Sequence, residues 1–257
     1  MPVTRDRKAN RGESPKRNPA IDSVRGLAIV LMIVDHIAVL LFDIAVGTDN
    51  PRLATRLSLP LFAIVMGSLL KEKRGTESAS PQNRWLGKAT PGQWRRFGQL
   101  LAASLAANVL FFPYFGRLDI LASFCVVYLA FAVLGDRLIW LTGAIVLFPV
   151  DPSVGIFDYP LSVVFCLVGL GMILRDRGPL PAVGVALGIT FFCIAIVPTP
   201  LLYVGFFVIP ATLVVALART GNELSNPALS FVGRYPLNIY VVQYYVLFLI
   251  RQFWVGY

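Results

Sequence analysis

The chain has 257 residues, 56% hydrophobic and only 14% charged, with a formal net charge of +9. A soluble domain carries roughly 25% charged residues, and here apolar stretches recur along most of the chain instead of forming one core's worth. The composition therefore argues against a soluble globular protein and for an all-α, polytopic integral membrane bundle, because a span needs about 20 mostly apolar residues to cross roughly 30 Å of hydrocarbon.

In chain order, residues 1–20 (MPVTRDRKANRGESPKRNPA) are rich in charge, Pro, Asn and Gly and read as a disordered basic tail, which we extend to residue 24. The apolar run after it is longer than a signal-peptide core and lacks a small-residue cleavage pattern, so no cleavable signal is expected. One transmembrane domain, 25–257, follows. Its predicted helices are 26–46, 53–70, 97–114, 118–135, 138–150, 157–174, 180–197, 201–218 and 236–255, with a basic inner loop at 71–96.

The first helix, RGLAIVLMIVDHIAVLLF (25–42), carries Asp35 and His36 at its centre, and His36 is the only histidine of the chain. Ionisable groups at membrane depth cost several kcal/mol and face protein or a wet cavity. Arg25 precedes His36 by eleven residues, three turns plus about 20°, so both side chains project from one face about 16 Å apart along the axis. Asp35 is rotated by roughly 100° from His36 and serves a neighbouring helix or backbone group. A lone histidine is commonly a satisfied structural residue. Membrane depth beside an acid turns the reading the other way, to a catalytic group that takes a proton from an acceptor hydroxyl or amine and returns it to a leaving thiolate.

The second helix, LATRLSLPLFAIVMGSLL (53–70), places Arg56 inside its apolar boundary, either snorkelling to the outer interface or facing an outer-half cavity. The turn FGRLDIL (115–121) holds Arg117 and Asp119, a local ion pair or an acceptor contact. The last helix begins GRYPLNIYVVQYY (233–245), where Asn238, Tyr240 and Gln243 enter the membrane as interhelical glue or as cavity lining. Cys125, Cys166 and Cys193 lie in apolar runs with no CxxC or Cys/His spacing, so they are expected to be buried free thiols, with no metal site.

Of the 23 Lys and Arg, all but Arg52, Arg56, Arg117 and Arg251 fall on one side of this layout. Basic residues are retained in the cytoplasm during insertion, so the N-terminus is predicted to be cytoplasmic. The net charge is then an orientation signal, and no nucleic-acid partner is expected. The 71–96 loop, with seven basic residues and two tryptophans, is either topology charge with interfacial anchoring or a platform for a phosphate-rich ligand.

Several of these stretches resemble a known superfamily. Arg25 and His36 resemble the R-x10-H element of the membrane-bound acyltransferase 3 family. RLSLPLFAIVMGSLL (56–70) resembles the second-helix pattern of TraX-type membrane acetylases. RLDIL (117–121) and GRYPLNIYVVQ (233–243) resemble segments of the larger transmembrane acyltransferase superfamily, which includes heparan-α-glucosaminide N-acetyltransferase. The resemblance implies acyl, usually acetyl, transfer from cytoplasmic acyl-CoA to a glycan, glycolipid or protein acceptor at or beyond the membrane. It implies His36 as general base or acyl carrier with Asp35 beside it, and Arg25 and Arg234 on the donor. Arg56, Asp119, Tyr240 and Gln243 would meet the acceptor. It also implies acetyl-CoA as donor substrate without a metal, a lipid environment in a bacterial inner membrane, and an oligomeric state open between monomer and homodimer. Gln243 stands where some relatives carry histidine.

Two other classes remain open on the sequence. A proton-coupled transporter or flippase would use Asp35 and His36 as a relay, though no internal repeat of the transporter kind is visible. A non-catalytic membrane subunit would use the same polar groups to hold helices together.

Overall fold

The computed structural model describes residues 17–45, 52–77, 91–147, 155–196, 199–221 and 223–254. They form an all-α bundle: α1 (Pro19–Phe42), α2 (Arg52–Thr55), α3 (Ser58–Glu77), α4 (Pro91–Phe115), α5 (Ile120–Leu134), α6 (Leu138–Leu147), α7 (Leu161–Arg177), α8 (Pro179–Ile196), α9 (Thr199–Thr220), α10 (Pro227–Arg234) and α11 (Pro236–Trp254). Each of the nine predicted helices has a counterpart, and α2 and α10 are additional short ones. Five stretches among the described residues are long and apolar enough to cross a membrane, one of them formed by α5 and α6 together. A single 3-10 turn at Gly135–Arg137 joins those two helices.

The basic tail ends earlier than its composition suggests. Asn18 caps α1 by accepting hydrogen bonds from the Ala20 and Ile21 N–H groups, and Pro19 occupies the first turn, where its missing N–H is harmless. Residues 20–24 are helical and buried although Asp22 and Ser23 are polar. The Asp22 carboxylate accepts from Arg17 at 2.5 Å and from Arg25 at 3.3 Å, and Ser23 donates to the Pro19 and Asn226 carbonyls. The inner loop is likewise shorter than expected, because Lys71–Glu77 extends α3 and Pro91 opens α4. Its residues 78–90 lie outside the described residues.

Two close helix crossings organise the bundle. In the first, α1 runs parallel to α10, and a Cβ added to Gly26 would collide with the Leu229 carbonyl while one added to Gly233 would collide with the Asp22 carbonyl. In the second, α3 runs parallel to α7, with Gly67 against the Val168 carbonyl and Gly171 against the Ile64 carbonyl. Lipid tails are as apolar as leucine, so membrane helices associate through such small-residue contacts instead of through hydrophobic burial. Both ends of the α3–α7 pair are also tied, Arg56 to Tyr159 at one end and Lys71 to Asp176 at 3.5 Å at the other. Helix α7 is the centre of the bundle: Val163, Val164, Cys166, Leu167, Val168, Leu170 and Met172 are fully buried. Outward-facing Leu105, Val133, Trp140, Phe191 and Val242 remain exposed, as lipid contact requires. All three cysteines are buried thiols outside any disulfide.

Polar side chains gather in two layers. Arg25, Arg96, Gln93 and Tyr128 mark one end, while Asp35, Arg52, Arg56 and Asp158 mark the other. Gly26→Val or Gly233→Val is expected to force the α1 and α10 backbones apart and lower stability by about 1–3 kcal/mol, the usual cost of overpacking. Gly98→Val, where nothing lies within 4 Å, serves as the control that leaves stability unchanged. Thermal melting of the detergent-solubilised variants checks the difference.

Candidate active site

Asp35 and His36 part company as helical rotation requires. The Asp35 carboxylate turns towards α2 and α3, where it accepts from Arg52 Nε at 2.8 Å, from Arg56 at 3.0 Å on both oxygens, and from the Thr55 hydroxyl at 2.7 Å. Arg52 also donates to the Ile44 carbonyl, which closes the turn after α1. All three charged side chains are largely buried, at 14% exposure for Asp35, 9% for Arg52 and 11% for Arg56. Two guanidinium groups and a hydroxyl thus neutralise and satisfy one carboxylate, which is what burying it requires.

His36 faces a different side of α1, towards α11. Its Nδ1 lies 3.0 Å from Gln243 Nε2 and its Nε2 lies 3.1 Å from the Tyr244 hydroxyl. The imidazole also stacks on Tyr244, ring centroids 4.6 Å apart, and meets Tyr240 edge-on at 6.0 Å. With Gln243 donating to Nδ1, the neutral ring carries its proton on Nε2 and donates to Tyr244, leaving the buried Gln243 Oε1 without a partner. Rotating the amide by 180° turns Oε1 to the ring, where it accepts from a protonated Nδ1 and frees Nε2 to accept from Tyr244. The same two partners therefore support either neutral tautomer.

The network continues to Asp119. This residue is 1% exposed and caps α5 through the Leu121 N–H at 3.2 Å, while its own N–H donates to Asn108 on α4. Tyr240 donates to Asp119 Oδ1, and the Tyr240 and Tyr244 hydroxyls lie 3.3 Å apart. Asp119, Tyr240, Tyr244, His36 and Gln243 form one connected chain drawn from α1, α5 and α11. Of the residues singled out in the sequence, Asp119, Tyr240 and Gln243 are thus brought to His36. Asp119 is engaged by Tyr240 and not by its neighbour Arg117, which is exposed. Arg56 is instead joined to Asp35.

Two cavities flank this network. One of about 50 Å³ is lined by Asp35, His36, Ser58, Asp158, Tyr159 and Tyr240 among others. The second, of about 170 Å³, is lined at its polar end by Arg25, Arg96, Gln93 and Tyr128. They share Phe62, Pro236 and Leu237, so they meet back to back along α1. Arg25 and His36 stand one in each, as their common helix face predicts. Arg234, by contrast, is exposed at the end of α10 and lines neither cavity. Asp158 and Tyr159 reach the smaller cavity from the 155–160 loop, which is pinned to the α4–α5 turn by the Leu118 N–H to Ile156 and the Asp158 N–H to Leu118 bonds, both 2.8 Å. Burial pushes the Asp158 carboxyl up to about 6, opposed in part by Arg56 and Arg117. Among the described residues no group of three or more His, Cys, Asp or Glu is placed to hold a metal ion.

Sequence reasoning missed Tyr244, Asp158, Arg52 and Phe62, and reached Arg96 only as part of the basic 71–96 loop. Tyr244 had a usable signal, because Tyr240, Gln243 and Tyr244 are spaced i, i+3 and i+4 and share one face of a helix. The others are brought in by tertiary contacts between distant segments.

Residues 17–245 match the family described as heparan-alpha-glucosaminide N-acetyltransferase, catalytic. The chain belongs to that family. No curated protein and no solved structure matches it. Membership in this N-acetyltransferase family, together with the apolar helices, makes the chain an integral membrane acyltransferase. The matched region ends at Tyr245, immediately after Gln243 and Tyr244, and so includes every group of the His36 network.

Asp35→Ala takes from two buried guanidinium groups the carboxylate they share and is expected to lower stability by on the order of 3 kcal/mol. His36→Ala leaves Tyr244 its bonds to Tyr240 and Asp119 and removes only the Gln243 partner, and is expected to lower stability less than Asp35→Ala. Parallel thermal melts of the two variants separate the structural acid from its neighbour.

Proposed function

We propose that the protein transfers an acetyl group from acetyl-CoA, held at the Arg25 and Arg96 end of the bundle, to an amine or hydroxyl acceptor entering beside His36. The observation that carries this reading is the pair of cavities meeting at Phe62, Pro236 and Leu237, one bearing two arginines and the other the histidine. CoA is anionic at its nucleotide end, so Arg25 and Arg96 supply attraction where the donor enters. In the N-in orientation argued from the basic residues, that end is cytoplasmic and the His36 end faces outward.

His36 takes the proton of the acceptor N–H or O–H as that heteroatom attacks the thioester carbonyl. The C–S bond breaks, the new C–N or C–O bond forms, and the departing thiolate receives the proton from the imidazolium. The alternative route forms an acyl-imidazole on His36 first and passes the acetyl group on in a second step. Tyr244 and Gln243 hold the ring in either tautomer, and Asp119 steadies the imidazolium through Tyr244 and Tyr240. Asp35 acts one step removed, by fixing α1 against α2 and α3. Asp158 offers a carboxylate that accepts an N–H of the neutral acceptor amine, and its charge, retained only above about pH 6, favours this at neutral pH over acid.

Purified protein in nanodiscs, supplied with labelled acetyl-CoA and a panel of amine and hydroxyl acceptors, tests the reading. Folded His36→Ala is expected to lose transfer by at least about a thousand-fold, within the range for removal of a general base. Retained transfer refutes the assignment, and proton-coupled solute uptake without CoA release favours a transporter. Tyr244→Phe is expected to lower kcat about ten-fold or more at unchanged KM for acetyl-CoA, because it loosens the ring without touching the donor. Arg25→Ala and Arg96→Ala are expected to raise that KM with little change in kcat. Raised ionic strength acts in the same direction on the parent enzyme.

A further inference from the structure

We infer that Phe62 is the acyl-length ruler of the site, an inference that rests on the acetyl-transfer reading above. Phe62 is the α3 residue common to both cavities, with Ser58 on the His36 side of it and Val65 and Met66 on the Arg25 side. The phenyl ring therefore stands where a thioester must cross from donor to acceptor. It is not free to retreat, because Phe124 on α5 packs against it with ring centroids 5.5 Å apart. Phe124 is itself 2% exposed. Pro236 and Leu237 close the opposite wall at the rigid first turn of α11.

The His36 cavity beyond this wall measures about 50 Å³. The methyl and carbonyl of an acetyl unit are the smallest groups to pass between Phe62 and the Pro236–Leu237 wall, whereas the added methylenes of a butyryl or hexanoyl unit must thread the same gap and press Phe62 against Phe124. A single misplaced methylene in an apolar pocket alters discrimination about 10–200-fold. Selectivity for the shortest acyl groups then follows from the position of one ring.

The test compares kcat/KM for acetyl-, butyryl- and hexanoyl-CoA at one acceptor concentration, in the parent protein and in Phe62→Ala and Phe62→Leu, with gel filtration reporting folding. The parent is expected to lose activity steeply with chain length, and the alanine variant to raise the butyryl-to-acetyl ratio about ten-fold or more. Phe62→Leu, closer in volume, gives a smaller rise and serves where the alanine variant does not fold. A parent protein that uses hexanoyl-CoA as readily as acetyl-CoA overturns the ruler whatever the variants do, and so does an unchanged ratio in a folded variant. A parent inert with every acyl-CoA instead refutes the acetyl-transfer reading itself, and the ruler with it.

Discussion

A carboxylate cannot stay charged and unpaired inside a bilayer, and the way Asp35 is satisfied governs where the neighbouring elements lie. Three donors converge on it from a single short segment, Arg52, Thr55 and Arg56, which forces α2 and the first turn of α3 against α1. Arg56 also donates to Tyr159, so the same cluster anchors the start of α7. Fixing that end sets the height of everything further down α3: Phe62 between the cavities, Gly67 against α7, and Lys71 against Asp136 at 2.9 Å. The interaction also turns one face of α1 away from the acid and leaves the other free to present His36. Its contribution to net stability is modest in principle, since desolvation offsets much of the attraction. Its effect on geometry is large.

The opposite face of α1 is set by a longer contact. Helices α10 and α11 follow α1 in parallel for its whole length, beginning at Ser23 and Asn226 and ending at Leu40 and Arg251. Between those points the sequence separation of bonded pairs grows from 203 to 207 and 208 at His36 and then to 211. The growth marks the extra path that the second strand of the pair takes, with a break at Tyr235 between α10 and α11. The glycine crossing at Gly26 and Gly233 brings the backbones together before the break, and Pro236 restarts the helix after it. Gln243 and Tyr244 arrive beside His36 because of that restart. Arg251, which bonds the Leu40 carbonyl at 2.6 Å and lies over the Tyr114 ring, locks the far end.

The parts of this arrangement governed by local rules were legible in the sequence. Apolar length identified the nine helical stretches, and helical rotation placed Arg25 and His36 on one line and Asp35 off it. The depth of Gln243 in the last helix was enough to bring it to His36. Composition misjudged the N-terminal boundary, because Asp22 and Ser23 look like tail residues until their partners on α10 and at Arg17 are known. Asp119 sits two residues from Arg117 and invited an ion pair. Its true partner, Tyr240, is 121 residues away, a contact that no local spacing encodes. Arg234 and Arg96 show the same limit from the donor side: both are basic residues at the same end, and only the packing of α4 against α5 selects Arg96 for the cavity.

The transfer proposed above moves an activated acyl group between two compartments and so sets competing demands. The thioester must reach an outward-facing acceptor, yet water that reaches it first would hydrolyse it. Two small cavities meeting at an aromatic wall answer both demands better than one open channel. The larger is lined by apolar side chains beyond its arginines, where the proposed donor enters, while the smaller is the narrower space beside His36. Both ring nitrogens are already engaged by α11, so water has no vacant site on the imidazole in this arrangement. In the proposed reaction an acceptor displaces one of these partners to reach His36. Tyr244 is suited to yield, since its hydroxyl can fall back on Tyr240 at 3.3 Å and on Asp119 at 3.5 Å without being left unsatisfied. The buried carboxylate at the start of α5 therefore gives the tyrosine a second place to bind, and with it a way for the histidine to open only when the acceptor is present.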